Sequence, residues 1–152
     1  MKMSTKGRYA MVALTDIALQ PKNSIVSLLE ISNRQGISLT YLEQIFVRLR
    51  RGGLVKSRRG PGGGYSLARA AHDIRVIDVL IAVDETVDPM QKGIKVTGAS
   101  SGSRSQSLTN RLWESLSANI YVFLHQIRLS DVIENGLAPC PALPIIFSVI
   151  EE

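Results

Sequence analysis

A mainly α-helical fold is what this sequence predicts: a winged helix-turn-helix domain with a two-stranded wing, followed by a long C-terminal helix suited to pairing with a copy of itself. Three observations predict it. Two capped, apolar-periodic runs are separated by only Gln35-Gly36-Ile37, the length a helix-turn-helix requires. The segment Arg58-Arg59-Gly60-Pro61-Gly62-Gly63-Gly64 then lies between the apolar stretches Leu54-Val55 and Tyr65-Ser66-Leu67, which makes a hairpin tip that carries arginines and no packing side chains. Further on, Leu112, Leu116, Ile120, Phe123, Leu124 and Ile127 recur at threes and fours, the seam of one long helix.

Residues 8 to 19 place Tyr9, Ala10, Ala13, Leu14, Ile17 and Ala18 at helical spacing, and Pro21 stops the run. Ser27-Leu28-Leu29-Glu30 reads as a capping box that opens a short helix to about Arg34, with Gly36 as its end. Ser38 caps a third helix. Its apolar row Leu39, Leu42, Ile45, Phe46 and Leu49 continues until Gly52-Gly53 supplies a left-handed stop. Burying that row leaves Thr40, Tyr41, Glu43, Gln44, Val47, Arg48 and Arg51 on the remaining faces. The wing follows, with Gly60, Pro61, Gly62, Gly63 and Gly64 at its tip.

After the wing, Asp73 is expected to cap a helix through Val76, Val79, Leu80 and Val83, closing the first domain, residues 1–85. Residues 86–107 carry Pro89, three glycines and a cluster of serines without apolar periodicity, and are expected to form a loop. The long helix is expected from about Ser107, so that residues 108–134 hold it and a short following helix, and the Pro-rich residues 135–152 form a loosely held tail. A helix so far from the domain core needs a cover, and a second copy of the chain is the simplest one.

Charge is placed unevenly along the 152 residues. The net charge is +5, yet residues 1–60 hold eleven Lys and Arg against only Asp16, Glu30 and Glu43. A basic N-terminal domain joined to a mildly acidic remainder points to a polyanionic partner, because summed positive charge raises phosphate affinity and encounter rate. With 45% hydrophobic residues, the chain is expected to bury one ordinary core. No apolar leader opens it, and the apolar-leaning stretches at 115–127 and 135–150 are short of a bilayer span, so a cytoplasmic, non-membrane protein is expected. The single cysteine, Cys140, cannot make an intrachain disulfide or a multi-cysteine metal site.

These features together favour double-stranded DNA. Thr40, Tyr41, Glu43 and Gln44 start the third helix, where a recognition helix meets base edges. Gln44 has the geometry to pair with adenine, and Glu43 to accept from cytosine or repel a site lacking that donor. Arg59 on the wing is the expected minor-groove reader. Ser4, Thr5, Lys6, Arg8, Arg48, Arg50, Lys56 and Arg58 are the expected phosphate contacts. Enzymatic activity is not expected: Gly62-Gly63-Gly64 joins two strands and no Lys-Ser/Thr follows, whereas a nucleotide loop opens a helix. His72, His125 and Cys140 show no nucleophile and base arrangement. A winged helix used for protein docking is the rival reading, and salt-sensitive duplex binding separates the two.

Several blocks also carry a family resemblance. They are residues 4–10 (STKGRYA), 35–44 (QGISLTYLEQ), Leu49-Arg50, Gly53-Leu54-Val55, 59–65 (RGPGGGY), Val83-Asp84-Glu85 and 108–113 (LTNRLW). In these the chain resembles the IscR-type winged-helix transcriptional regulators, the iron-sulfur cluster regulator family, over nearly its whole length to about Val132. The resemblance implies a homodimeric transcription factor, read here as a repressor, for iron-sulfur cluster biogenesis or related genes, acting on a palindromic operator. It also implies a [2Fe-2S] cluster held by three cysteines and a histidine before the long helix. This chain departs there: Ser101 and Ser107 stand at two cysteine positions, Asn110 at the histidine position, and the first cysteine would fall near Lys92 to Lys95. Hydroxyls and an amide are poor ligands for iron that takes thiolate, so no cofactor and no metal are expected in the chain as written. Replacement of cysteine by nearly isosteric serine and descent from a natural cluster-free relative, comparable to the family's cysteine-metabolism repressors, both account for the pattern.

Overall fold

The computed structural model describes residues 4–85 and 103–137. Helix α1 (Thr5–Leu19) starts three residues before the expected Arg8, because the Ser4 hydroxyl accepts from the Gly7 N–H and caps it; an extended Gln20 ends it before Pro21. Helix α2 (Leu28–Gln35) has the expected capping box: the Glu30 N–H reaches the Ser27 hydroxyl at 3.2 Å, and the Glu30 carboxylate takes the Ser27 N–H at 2.7 Å. Gly36 ends it at φ +65, a left-handed conformation that glycine adopts without steric cost. Helix α3 (Leu39–Arg51) is capped by Ser38.

Two details of α3 differ from expectation. Leu39 does not join the buried row and is 37% exposed, because it stands at the first helical position, ahead of the turn that meets α1. Gly52 keeps right-handed dihedrals, and Gly53 alone, at φ +71, makes the left-handed stop. Leu42, Ile45, Phe46 and Leu49 are buried.

Strands β1 (Val55–Arg58) and β2 (Gly64–Leu67) form the antiparallel wing, in the register Val55↔Leu67 to Arg58↔Gly64. Val26 adds a single bridge to its edge, exchanging two backbone hydrogen bonds with Tyr65 at 2.9 and 2.7 Å. Gly64 is required there: a Cβ would stand 2.4 Å from the Val26 carbonyl oxygen. Tyr65 packs on Phe46 of α3 with ring centroids 4.7 Å apart, which seats the wing on the third helix.

A 3-10 turn (Ala71–Asp73) and helix α4 (Val76–Ala82) close the domain. Asp73 does not cap α4. Ile74 and Arg75 are held extended by a bridge to Arg128, in which Leu129 N–H donates to the Ile74 carbonyl at 2.9 Å and Val76 N–H to the Ile127 carbonyl at 3.0 Å. The helix therefore starts later, and Asp78 takes the Arg75 N–H instead. The core lies among α1, α2, α3, the wing and α4, with Leu14, Ile31, Phe46, Leu54, Ile74 and Val79 among its buried side chains.

Helix α5 (Arg104–Gln126) starts slightly ahead of the expected Ser107, because Ser103 and Gln106 form a reciprocal cap. None of its residues is buried. Leu112 is 57%, Trp113 45% and Phe123 57% exposed, whereas Ile120, Leu124 and Ile127 are half-buried. Helix α6 (Leu129–Ile133) returns to the first domain, where Leu129 is buried in the core. The described residues contain no helix long and apolar enough to cross a membrane.

Candidate nucleic-acid interface

Helix α3 buries Leu42, Ile45, Phe46 and Leu49 and thereby fixes what its opposite side presents. Thr40, Glu43, Gln44 and Val47 are exposed at the spacing i, i+3, i+4, i+7, one contiguous strip, and Arg50 and Arg51 extend it into the last turn. Tyr41 departs from the group. It is half-buried, with its ring in a T-shaped contact with Tyr9 of α1, centroids 5.6 Å apart, so the ring joins the two helices. Lys56, Arg58 and Arg59 are exposed on the wing, and the tip turns through left-handed Gly60 and Gly62.

Orientation of α3 depends on a contact that sequence reading missed. Asp16 of α1, only 5% exposed, receives Arg34 Nε at 3.0 Å, Arg34 Nη2 at 2.6 Å and Gln35 Nε2 at 2.7 Å. These hydrogen bonds from Arg34, opposed by burial and helped by Gln35 and the Arg34 charge, hold the Asp16 carboxyl below the usual aspartate range. Ser32 Oγ donates to the Ile37 carbonyl at 2.6 Å, so both sides of the turn between α2 and α3 are pinned. An acid among alanines and leucines on a helix's buried face was the available signal.

The other expected phosphate contacts divide. Thr5, Arg8, Arg50, Lys56 and Arg58 are exposed, and Lys6 is half-buried. Arg48 makes an ion pair with Asp84, and the Ser4 N–H and hydroxyl both donate to Glu85. Burial alone would raise the Glu85 carboxyl; hydrogen bonds from Ser4 and from the Gly7 N–H, with Lys6 nearby, outweigh it and hold the carboxyl below its usual range. Two adjacent carboxylates at the end of α4 thus sit on groups that otherwise suit a phosphate. The sequence shows Asp84-Glu85 as an acidic step after a basic domain, but not its partners.

Of the positions matching cluster ligands, Ser101 lies outside the described residues. Ser107 and Asn110 are exposed on the first turns of α5, three residues apart. Among the described residues no group of three or more His, Cys, Asp or Glu side chains is placed to hold a metal. A hydroxyl and an amide at these positions do not fit the three-cysteine, one-histidine binding mode. Of the row expected to dimerise, Leu112, Leu116 and Phe123 are exposed on α5, Ile120 and Leu124 are half-buried on it, and Ile127 is half-buried just past its end.

Known proteins resemble the chain in sequence and in fold. Over its whole length the chain is 64% identical to the HTH-type transcriptional regulator IscR of Cereibacter sphaeroides, spanning 99% of that protein. It is 50% identical to IscR of Xenorhabdus nematophila, over 89% of this chain and 80% of the relative. Among solved structures it resembles T. potens IscR, with a TM-score of 0.70 at 35% identity over 92% of this chain and 94% of that one. It also resembles CymR, the global cysteine regulator of B. subtilis, with a TM-score of 0.73 at 28% identity over 89% and 98% of the two chains. A family model described as an iron-dependent transcriptional regulator matches residues 3–135, and the chain therefore belongs to the Rrf2 family of winged-helix transcriptional regulators.

Proposed function

We propose that this regulator binds a palindromic DNA operator as a two-fold homodimer and represses the genes it controls. The observation that carries the reading is the pairing of one exposed polar strip on α3 with a cationic wing fixed to the same helix through Tyr65 and Phe46. Thr40, Glu43 and Gln44 meet major-groove base edges, with Tyr41 beside them, and Arg59 enters the neighbouring minor groove. Thr5, Lys6, Arg8, Arg50, Lys56 and Arg58 meet phosphates; Ser4 and Arg48 join them once their carboxylate partners yield.

Dimerisation is supported by the exposed row Leu112, Leu116 and Phe123 on a 23-residue helix with no fully buried residue. Two such helices packed along this row cover it and set two recognition helices about one turn of DNA apart, roughly 34–36 Å. The resemblance to the iron-sulfur cluster regulators, with a relative named IscR at 64% identity, supports target genes of iron-sulfur cluster biogenesis. Regulation of cysteine or sulfur metabolism is the second reading, supported by the likeness to the cysteine regulator at 28% identity.

DNA binding in this reading needs no cluster held by three cysteines and a histidine, and the protein works in the cytoplasm. Selection from a random duplex pool, using protein purified without iron, tests it. The expected product is a two-fold symmetric site; a pool that stays unenriched in dilute buffer contradicts the reading. After anaerobic treatment with iron and sulfide, Ser107→Ala and Asn110→Ala are expected to leave the visible spectrum unchanged, because neither side chain serves as a ligand.

A further inference from the structure

On the wing's strand face, where the end of α1, the turn at residues 21–25 and the hairpin meet, lies a depression of about 440 Å³. That volume falls within the range of small-molecule sites, roughly 300–1,000 Å³. None of its lining residues belongs to α3, so it is separate from the recognition strip. Its walls combine apolar surface from Ile17 and Ile25 with three cations, Lys22, Lys56 and Arg69, and no acidic residue lines it. Among the described residues none of these three cations takes part in an ion pair.

Ser66 gives the depression its chemistry. It stands opposite Lys56 in the wing register, so the two side chains share one face of the hairpin, and it too lines the depression. Ser66 is 7% exposed, and its hydroxyl is buried with no hydrogen-bond partner. Buried hydroxyls are nearly always paired, because an unpaired one loses its bonds to water without replacement. A buried donor without a protein partner beside three cations free of ion pairs suits an anionic acceptor.

We propose that this depression binds a small metabolite bearing carboxylate or phosphate groups. Its anionic oxygens accept from the Ser66 hydroxyl and neutralise Lys22, Lys56 and Arg69, while its carbon body lies on Ile17 and Ile25. Lys56 is also an expected DNA phosphate contact, so a bound metabolite and the DNA backbone would compete for it. That consequence rests on the DNA reading above; the binding itself does not.

Calorimetric titration of the full chain in the absence of DNA tests the site, with citrate, glucose 6-phosphate and inorganic phosphate as probes at matched ionic strength. Saturable binding of citrate or glucose 6-phosphate is expected, and whichever binds assigns the anionic group. Lys22→Gln and Arg69→Gln are each expected to weaken it about tenfold, a loss typical of one charged contact. Ser66→Ala is expected to weaken binding as well, while the melting temperature of the free protein stays equal or rises, since the substitution removes an unpaired buried hydroxyl. No saturable binding of any probe, binding of inorganic phosphate alone, or affinities unchanged in all three variants would overturn the proposal.

Discussion

Arg34 grips Asp16 with two nitrogens, at 2.6 and 3.0 Å, and this joins the end of α2 to the buried face of α1 immediately before the turn into α3. The carboxylate is almost wholly enclosed, whereas the guanidinium is partly open to solvent. Removing the acid leaves Arg34 and Gln35 without their acceptor at the point that aims α3. Asp16→Ala is therefore expected to cost roughly 1–3 kcal/mol in urea unfolding, toward the lower end because the arginine regains water. Operator binding should weaken by more than the loss of folded protein explains. Unchanged stability and binding would show that the contact is incidental.

The same pair predicts a pH dependence. The Asp16 carboxyl is held below its ordinary value, so its contribution is complete above the unfolded value, near pH 4, and is lost as pH falls through the lower folded value. Glu85 has the same sign. Stability measured from pH 6 down to 2 should fall on the acid side, and Asp16→Asn should flatten part of that fall. A variant with an acid limb as steep as the parent's would assign the loss to other carboxylates.

Asp84 and Glu85 make a second expectation. Arg48 is paired with Asp84, so Asp84→Asn frees a cation on the edge of the recognition helix. Affinity for duplexes of any sequence should rise, and the slope of log affinity against log salt should steepen by about 0.9 if one further phosphate is engaged. Fluorescence anisotropy over a salt series measures both. A slope equal to the parent's would mean that Arg48 does not reach the backbone.

Gln44 and Arg59 should behave differently from the phosphate contacts. Gln44→Ala and Arg59→Ala are each expected to reduce discrimination between the selected operator and a scrambled duplex by roughly 1–3 kcal/mol, while leaving binding to the scrambled duplex nearly as it was. Equal losses on both duplexes would move the residue to the phosphate-contacting group.

Gly64 tests the seating of the wing. Alanine there would place a methyl group 2.4 Å from the Val26 carbonyl oxygen, a backbone atom that cannot turn aside. Gly64→Ala should open the Val26 and Tyr65 bridge, seen as faster amide hydrogen exchange at both residues. Retained protection would show that the segment before α2 moves without cost.

Local chemistry made most of this fold legible. Ser27 with Glu30, Ser38, Gly36 and the glycine-rich tip act within a few residues of themselves, and each does in the structure what its type and position indicate. What the sequence concealed depends on distant partners. Asp73 is a good cap by type, but the bridge from Arg128 keeps Ile74 and Arg75 extended and moves the start of α4. Asp16 meets Arg34 eighteen residues away, Arg48 meets Asp84 thirty-six away, and Ser4 meets Glu85 eighty-one away. Ser66 reads as an ordinary strand residue until its burial beside Lys56 is seen.

Sedimentation velocity of the purified chain, alone and with an operator-length symmetric duplex at low salt, is the most direct measurement. Two chains in the free particle, joined along α5, and two chains per duplex in the bound one are predicted. A free particle of one chain that leaves the duplex unshifted would contradict the account.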